Sequence, residues 1–149
     1  MGLVEKINDD LKTAMKEKDR NKVESIRAIK NAFLQEKTKE GATDINEVTE
    51  LKILQKLVKQ RKDSAEIFRS QGREDLAEKE SIEAAFIEKY LPEQMSDEKI
   101  EAELRQIIEK TGASSPKDIG KVMGMASKTF AGKADMKVVS QKVKAMLSE

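Results

Sequence analysis

Leu3, Ile7, Leu11 and Met15 recur at intervals of four and predict a first helix over about residues 3–18. Asp19 is placed to cap a second helix with the stripe Val23, Ile26, Ile29, Phe33 and Leu34, and Gly41 is its stop. Asp44 and Glu47 then stand at the spacing of a capping box. A long third helix follows, with Leu51, Leu54, Val58, Ala65 and Phe68 inward, and ends near Gly72. A fourth runs from about Arg73 through Leu76, Ile82, Phe86 and Ile87 to Tyr90, and Pro92 stops it. Long amphipathic helices joined by short loops predict an antiparallel helical array.

Beyond Pro92 the periods shorten. Ser96 caps a helix whose first turn holds Asp97 and Glu98, where the helix dipole favours anions. Its stripe is Ile100, Leu104, Ile107 and Ile108, and Gly112 ends it. Ser115 and Pro116 open the next helix, with Ile119, Val122, Met123, Ala126 and Phe130 inward. Asp135 caps the last, whose inner face is Met136, Val139, Val143, Met146 and Leu147. Strand-like alternation and internal repeats are absent. The expectation is an all-α protein: an N-terminal bundle of long helices over 1–92 and a small three-helix unit over 93–149.

Composition agrees. Of 149 residues, 38% are charged, 3% are aromatic and two are proline, which suits long helices better than sandwiches or barrels. No apolar run approaches the ~18 residues of a membrane span, so no membrane association is expected. The first helix is amphipathic and lacks the apolar core of a secretion signal. With no cysteine there is no disulfide framework, and the cytoplasm is the expected home. Histidine is also missing, which removes the commonest metal ligand and general base. No metal, cofactor or catalytic residue is expected.

Charge changes the picture. Residues 1–92 are balanced, residues 93–111 are net −3, and residues 112–149 carry seven lysines against three acids, net +4. The basic quarter also holds Gly120, Gly124 and Gly132, three of the chain's seven glycines. At about 100° per residue, Lys117, Lys121, Gly124 and Lys128 fall on one narrow stripe opposite Ile119, Val122, Met123 and Ala126. Gly124 is thus expected in solvent, where a helical glycine costs roughly 1 kcal/mol against alanine. Lysines flanking bare backbone suit a phosphate chain, which they neutralise and which the missing side chain admits. Lys133 and Lys137 extend the patch. Amides at the start of the last helix offer an anion site for which Asp135 competes. The plainer account is a solvated lysine face, with Gly124 a kink and Gly132 a turn.

Other candidates are weaker. Arg61 falls on the apolar side of the third helix and calls for a carboxylate partner, for example a glutamate of the fourth. Glu80 and Glu83, one turn apart, read as a solvated face. Tyr90 reads as a helix-end anchor, and Met123, Met136 and Met146 as core filler.

Three stretches carry a resemblance: VKQRKDSAEIFRSQGREDLAEKE at 58–80, YLPEQMSDEKI at 90–100, and GKVMG followed by GKAD within 120–135. Together they resemble the YqeY-like family, which is similar to the tail domain of the B subunit of glutamyl-tRNA(Gln)/aspartyl-tRNA(Asn) amidotransferase. The resemblance covers essentially the whole chain. It implies an all-helical fold and contact with tRNA or another structured RNA through Lys121, Gly124, Gly132, Lys133 and Asp135. It also implies an association with glutamine-dependent carbon–nitrogen ligase activity, with chemistry elsewhere in a complex. The partners implied are RNA and an amidotransferase or the translation machinery. The rival is a helical protein–protein interaction module that binds no nucleic acid. An enzyme is the third alternative.

Overall fold

The computed structural model describes residues 2–41 and 44–148, and only the backbone of Glu40. Among them are seven α-helices and one 3₁₀ turn, with no strand: α1 Leu3–Glu17, α2 Arg20–Glu40, α3 Glu47–Ser70, α4 Glu74–Glu88, α5 Asp97–Thr111, α6 Ile119–Thr129 and α7 Met136–Leu147, the turn being Pro116–Asp118. The protein is all-α.

Local chemistry sets the helix ends. The Asp19 carboxylate accepts from the Lys22 N–H at 3.2 Å and the Ser96 hydroxyl from the Lys99 N–H at 3.2 Å. Gly41 and Gly112 close α2 and α5 in the left-handed conformation, at φ 66° and 69°, which glycine adopts without a Cβ clash. One cap differs from expectation. Asn46, not Asp44, starts α3, its Oδ1 accepting from the Thr49 N–H at 2.8 Å. Ile45 packs on the core just before it, which fixes where the helix can begin.

The chain forms two compact units, Met1–Leu91 and Pro92–Glu149. In the first, α3 and α4 make a helical hairpin around the turn at Gln71–Arg73, and α2 packs on both as well as on α1. Ile7, Ile26, Ile29, Phe33, Leu54, Val58 and Ile87 are its core, and Tyr90 anchors the end of α4 by donating to Asp10. Arg61 finds the partner it calls for, its Nε 3.3 Å from Glu83 Oε2. Glu83 is therefore not on a solvated face: its side chain is only 8% exposed. Three apolar residues expected inward are outward, Met15 at 53%, Leu34 at 61% and Ile82 at 46% exposed. Each lies too far around its helix from the core residues: Met15 and Leu34 are one position past Ala14 and Phe33, and Ile82 is about 200° from Ala84.

In the second unit, α5, α6 and α7 enclose Leu104, Val122, Ala126, Phe130, Val139 and Val143, all nearly inaccessible. Met123, Met136 and Met146 pack around them as fillers.

Candidate nucleic-acid interface

The candidate face is built by the 3₁₀ turn and α6. Pro116 has no N–H to lose at a first helical position. Asp118 then organises the entry, its Oδ2 accepting from the Ser114 N–H at 3.0 Å and the Ser115 N–H at 3.3 Å. The Ser114 bond holds the Asp118 carboxyl below the usual carboxylate range against the opposing effect of burial, helped less by the Ser115 bond and the charge of nearby Lys121. From there α6 turns Val122 and Ala126 into the core. Helical geometry puts Lys117, Lys121, Gly124 and Lys128 on the other side, and all four are exposed.

The glycines of α6 are open. A methyl group added at Gly120 or Gly124 would meet nothing within 4 Å, and neither has a positive φ. Fold and backbone conformation thus give no reason for either, in helical positions where alanine is roughly 1 kcal/mol better. The bare backbone of Gly120 and Gly124 lies one turn apart on this surface. Gly120 was not among the expected site residues; its position four before Gly124 was the available signal.

The lysines here stand outside the ion pairs of the described residues. Lys117, Lys121, Lys128, Lys137 and Lys144 form no salt bridge among the described residues. Lys142 differs: its Nζ sits 2.9 Å from Glu101 Oε1, and that bond draws the Glu101 carboxyl down and the Lys142 ammonium up from their ordinary values.

The remaining expected residues are placed apart. Gly132 is buried at φ 73°, so a turn requires it, and its carbonyl accepts from Gln94 Nε2 at 2.7 Å. Lys133 is half-buried, its carbonyl taken by the Met95 N–H at 2.9 Å and its side chain lining a hollow of about 410 Å³ with Gln94, Met95 and Lys99. Asp135 fills the N-terminus of α7 itself, accepting from the Lys137 N–H at 2.9 Å, so the anion site there is occupied by the chain's own carboxylate. Lys137 is exposed on the first turn of α7. The structure thus leaves Lys117, Lys121, Gly124 and Lys128 exposed along the 3₁₀ turn and α6, with Lys133 and Asp135 between α6 and α7 and Lys137 on the first turn of α7. No group of three or more carboxylates is placed to hold a metal ion among the described residues, and no described helix is long and apolar enough to cross a membrane.

A profile of the Yqey-like protein family matches residues 4–147. The chain belongs to the YqeY-like family. Among curated relatives it is similar to Altered inheritance of mitochondria protein 41, mitochondrial, of three yeasts. The Vanderwaltozyma polyspora protein is 32% identical over 92% of this chain and 77% of its own length. The Clavispora lusitaniae protein is 37% identical over 75% and 66%. The Kluyveromyces lactis protein is 32% identical over 93% and 72%. The family relationship thus runs through both units. It also corrects the expected compartment. The relatives carry mitochondrial names, which point away from the cytoplasm. The cytoplasmic expectation rested on absent cysteine and absent apolar segments, and neither feature distinguishes one internal compartment from another.

Proposed function

We propose that this YqeY-like protein binds tRNA or a related structured RNA through the exposed face of α6 and works alongside an amidotransferase or the translation machinery. One observation carries the reading: two helical glycines opening onto solvent, flanked by lysines that form no salt bridge among the described residues. A phosphate chain uses both properties. Lysines release its counterions, and bare backbone lets it approach closely. Contacts of this kind position RNA without reading its sequence. The chain's few aromatics leave little for base stacking, so recognition is of shape. The family's likeness to an amidotransferase tail domain supports the same role: holding RNA while chemistry happens on another chain. The mitochondrial names of the relatives make mitochondrial tRNA the first substrate to try.

The test is fluorescence anisotropy with end-labelled tRNA across a salt series, comparing the intact chain with a Lys117→Glu/Lys121→Glu/Lys128→Glu variant of unchanged helicity. The intact chain is expected to bind with an affinity that falls steeply with salt. The variant is expected to lose tenfold or more, with a shallower slope by about three contacts. No binding by the intact chain, or equal binding by both, would end this assignment.

A second reading, a protein-docking module, is favoured by one feature of the N-terminal unit. Ile82, 46% exposed, borders a hollow of about 320 Å³ with Ala85, Phe86 and Ser25. Sedimentation of the intact chain against Ile82→Glu tests its simplest form, self-association: a concentration-dependent dimer lost in the variant supports it, and monomers throughout count against it.

A further inference from the structure

The N-terminal unit holds a second concentration of uncommitted positive charge, at the corner where α1 meets α2. An open hollow of about 440 Å³ there is lined by Met15, Lys18, Arg20, Val23, Glu24 and Arg27. Three of the six are cations. None of the three takes part in an ion pair or a side-chain hydrogen bond among the described residues. The carboxylates of this corner are engaged with lysines that do not line the hollow. Glu24 lies 3.2 Å from Lys79, and Glu17 and Asp19 each lie 3.8 Å from Lys22. The wall facing solvent is therefore left cationic although the unit as a whole is balanced in charge.

Three further details suit a phosphate chain. Arg20 and Arg27 stand seven residues apart on α2, about 10 Å along the axis. Their guanidinium groups stay charged at any physiological pH and present a planar fork to phosphate oxygens. Half-exposed Met15, which lines the same hollow, offers an apolar surface for a sugar or base edge. Lys18 ends α1 in the left-handed conformation, at φ 59°, the only described non-glycine residue with a positive φ. Glycine usually fills such a position, because a Cβ is strained there. A lysine there accepts that strain and places a cation at the rim.

We propose that this corner is a second phosphate-backbone contact for RNA, formed by Lys18, Arg20 and Arg27 and carried by the N-terminal unit itself. The shape favours a polymer over a small ligand: the hollow is open, and two of its three cations stand about 10 Å apart along α2. The inference rests on the RNA-binding reading above, and its test separates the two.

Lys18→Gly removes one charge and relieves the left-handed strain, so its melting temperature should hold or rise. Arg20→Gln with Arg27→Gln removes the other two from exposed positions. In anisotropy with labelled tRNA, Lys18→Gly should lower the slope of log K against log salt by about one and the double variant by about two, with losses of severalfold and tenfold or more near 0.15 M salt. Full affinity and slope in both, with the α6 variant impaired, would overturn this contact and leave the α6 reading standing. Loss in these variants with a normal α6 variant would support the corner and remove α6. No tRNA binding by the intact chain would overturn both. Polyglutamate added to the α6 variant decides the polymer: displacement of tRNA as effective as that by unlabelled tRNA would show a site for carboxylates and overturn the assignment to phosphate.

Discussion

Arg61 and Glu83 form the most enclosed ion pair in the molecule's described residues, with side chains 15% and 8% exposed. Arg61 could be read from the sequence because a cation between Val58 and Ala65 must find a partner or reach water. Glu83 could not: its spacing from Glu80 does not say which of the two α3 covers. Breaking such a pair on one side leaves a buried charge, whereas apolar replacement of both sides is often neutral. Glu83→Leu alone should cost about 2–4 kcal/mol, and Arg61→Met with Glu83→Leu should come within about 1 kcal/mol of the natural chain. Urea unfolding followed by circular dichroism measures the cycle, and additive single effects would refute the coupling. The same pair gives a pH dependence. Burial pushes the Glu83 carboxyl above its ordinary value of 4.5, outweighing the opposing pull of Arg61. A raised folded value means that ionisation costs stability. The contribution of Glu83 is fully present below about 4.5 and is lost as pH rises through the raised folded value. Glu83→Gln, which cannot ionise, should therefore gain on the natural chain as pH rises from about 4.5 through that raised value in matched urea titrations. A gain by the natural chain over that window would show that the charged pair stabilises the fold.

Helices themselves were largely legible, because their ends are decided by chemistry within a few residues. Asp19, Ser96 and Asp135 cap as their types and positions imply, and Gly41 and Gly112 stop their helices through positive φ. Where two good caps lie close together, as Asp44 and Asn46 do, the packing of Ile45 decides, and that is tertiary information. The exposed positions of Met15, Leu34 and Ile82 have the same origin: a stripe shows which side of a helix is apolar, and neighbouring helices decide how wide a face is covered. For α6 the pattern sufficed to place Lys117, Lys121, Gly124 and Lys128 in solvent. It also offered Gly132 as a turn, which the structure shows at φ 73°, but it could not give the burial of that turn or the bond from Gln94 to its carbonyl. The open glycines allow a test in which stability and function move in opposite directions. Gly120→Ala and Gly124→Ala should each stabilise the protein by up to about 1 kcal/mol, since the new methyl meets no neighbour. If RNA uses the bare backbone, each should also weaken tRNA binding. Thermal melts and anisotropy on the same samples check both. A stabilised variant with undiminished affinity would reduce the glycines to helical weak points and leave only the lysines as contacts.

At the scale of the molecule, charge and core divide the chain in the same way. Each unit buries its own set of apolar side chains, and the net +4 of residues 112–149 belongs wholly to the second. A domain of about 60 residues is near the lower limit of stability for a chain without disulfides or metals, so the last contacts at its edge matter. Those contacts come from the residues before α5. The Met95 N–H donates to the Lys133 carbonyl at 2.9 Å, and Gln94 Nε2 to the carbonyls of Pro92 and Gly132 at 2.9 and 2.7 Å. They hold the turn between α6 and α7, which presents Lys133 and leads into Lys137. A fragment of residues 92–149 should therefore fold cooperatively by circular dichroism and keep salt-dependent tRNA binding. It should bind more weakly than the whole chain to the extent that Lys18, Arg20 and Arg27 contribute. A fragment of residues 96–149 keeps all three helices, the Ser96 cap and every lysine of the α6 face but loses these hydrogen bonds to the turn. It should melt lower and exchange the amide hydrogens of residues 131–135 faster. Equal melting and equal exchange in the two fragments would show that the segment before α5 contributes nothing to the order of the basic face.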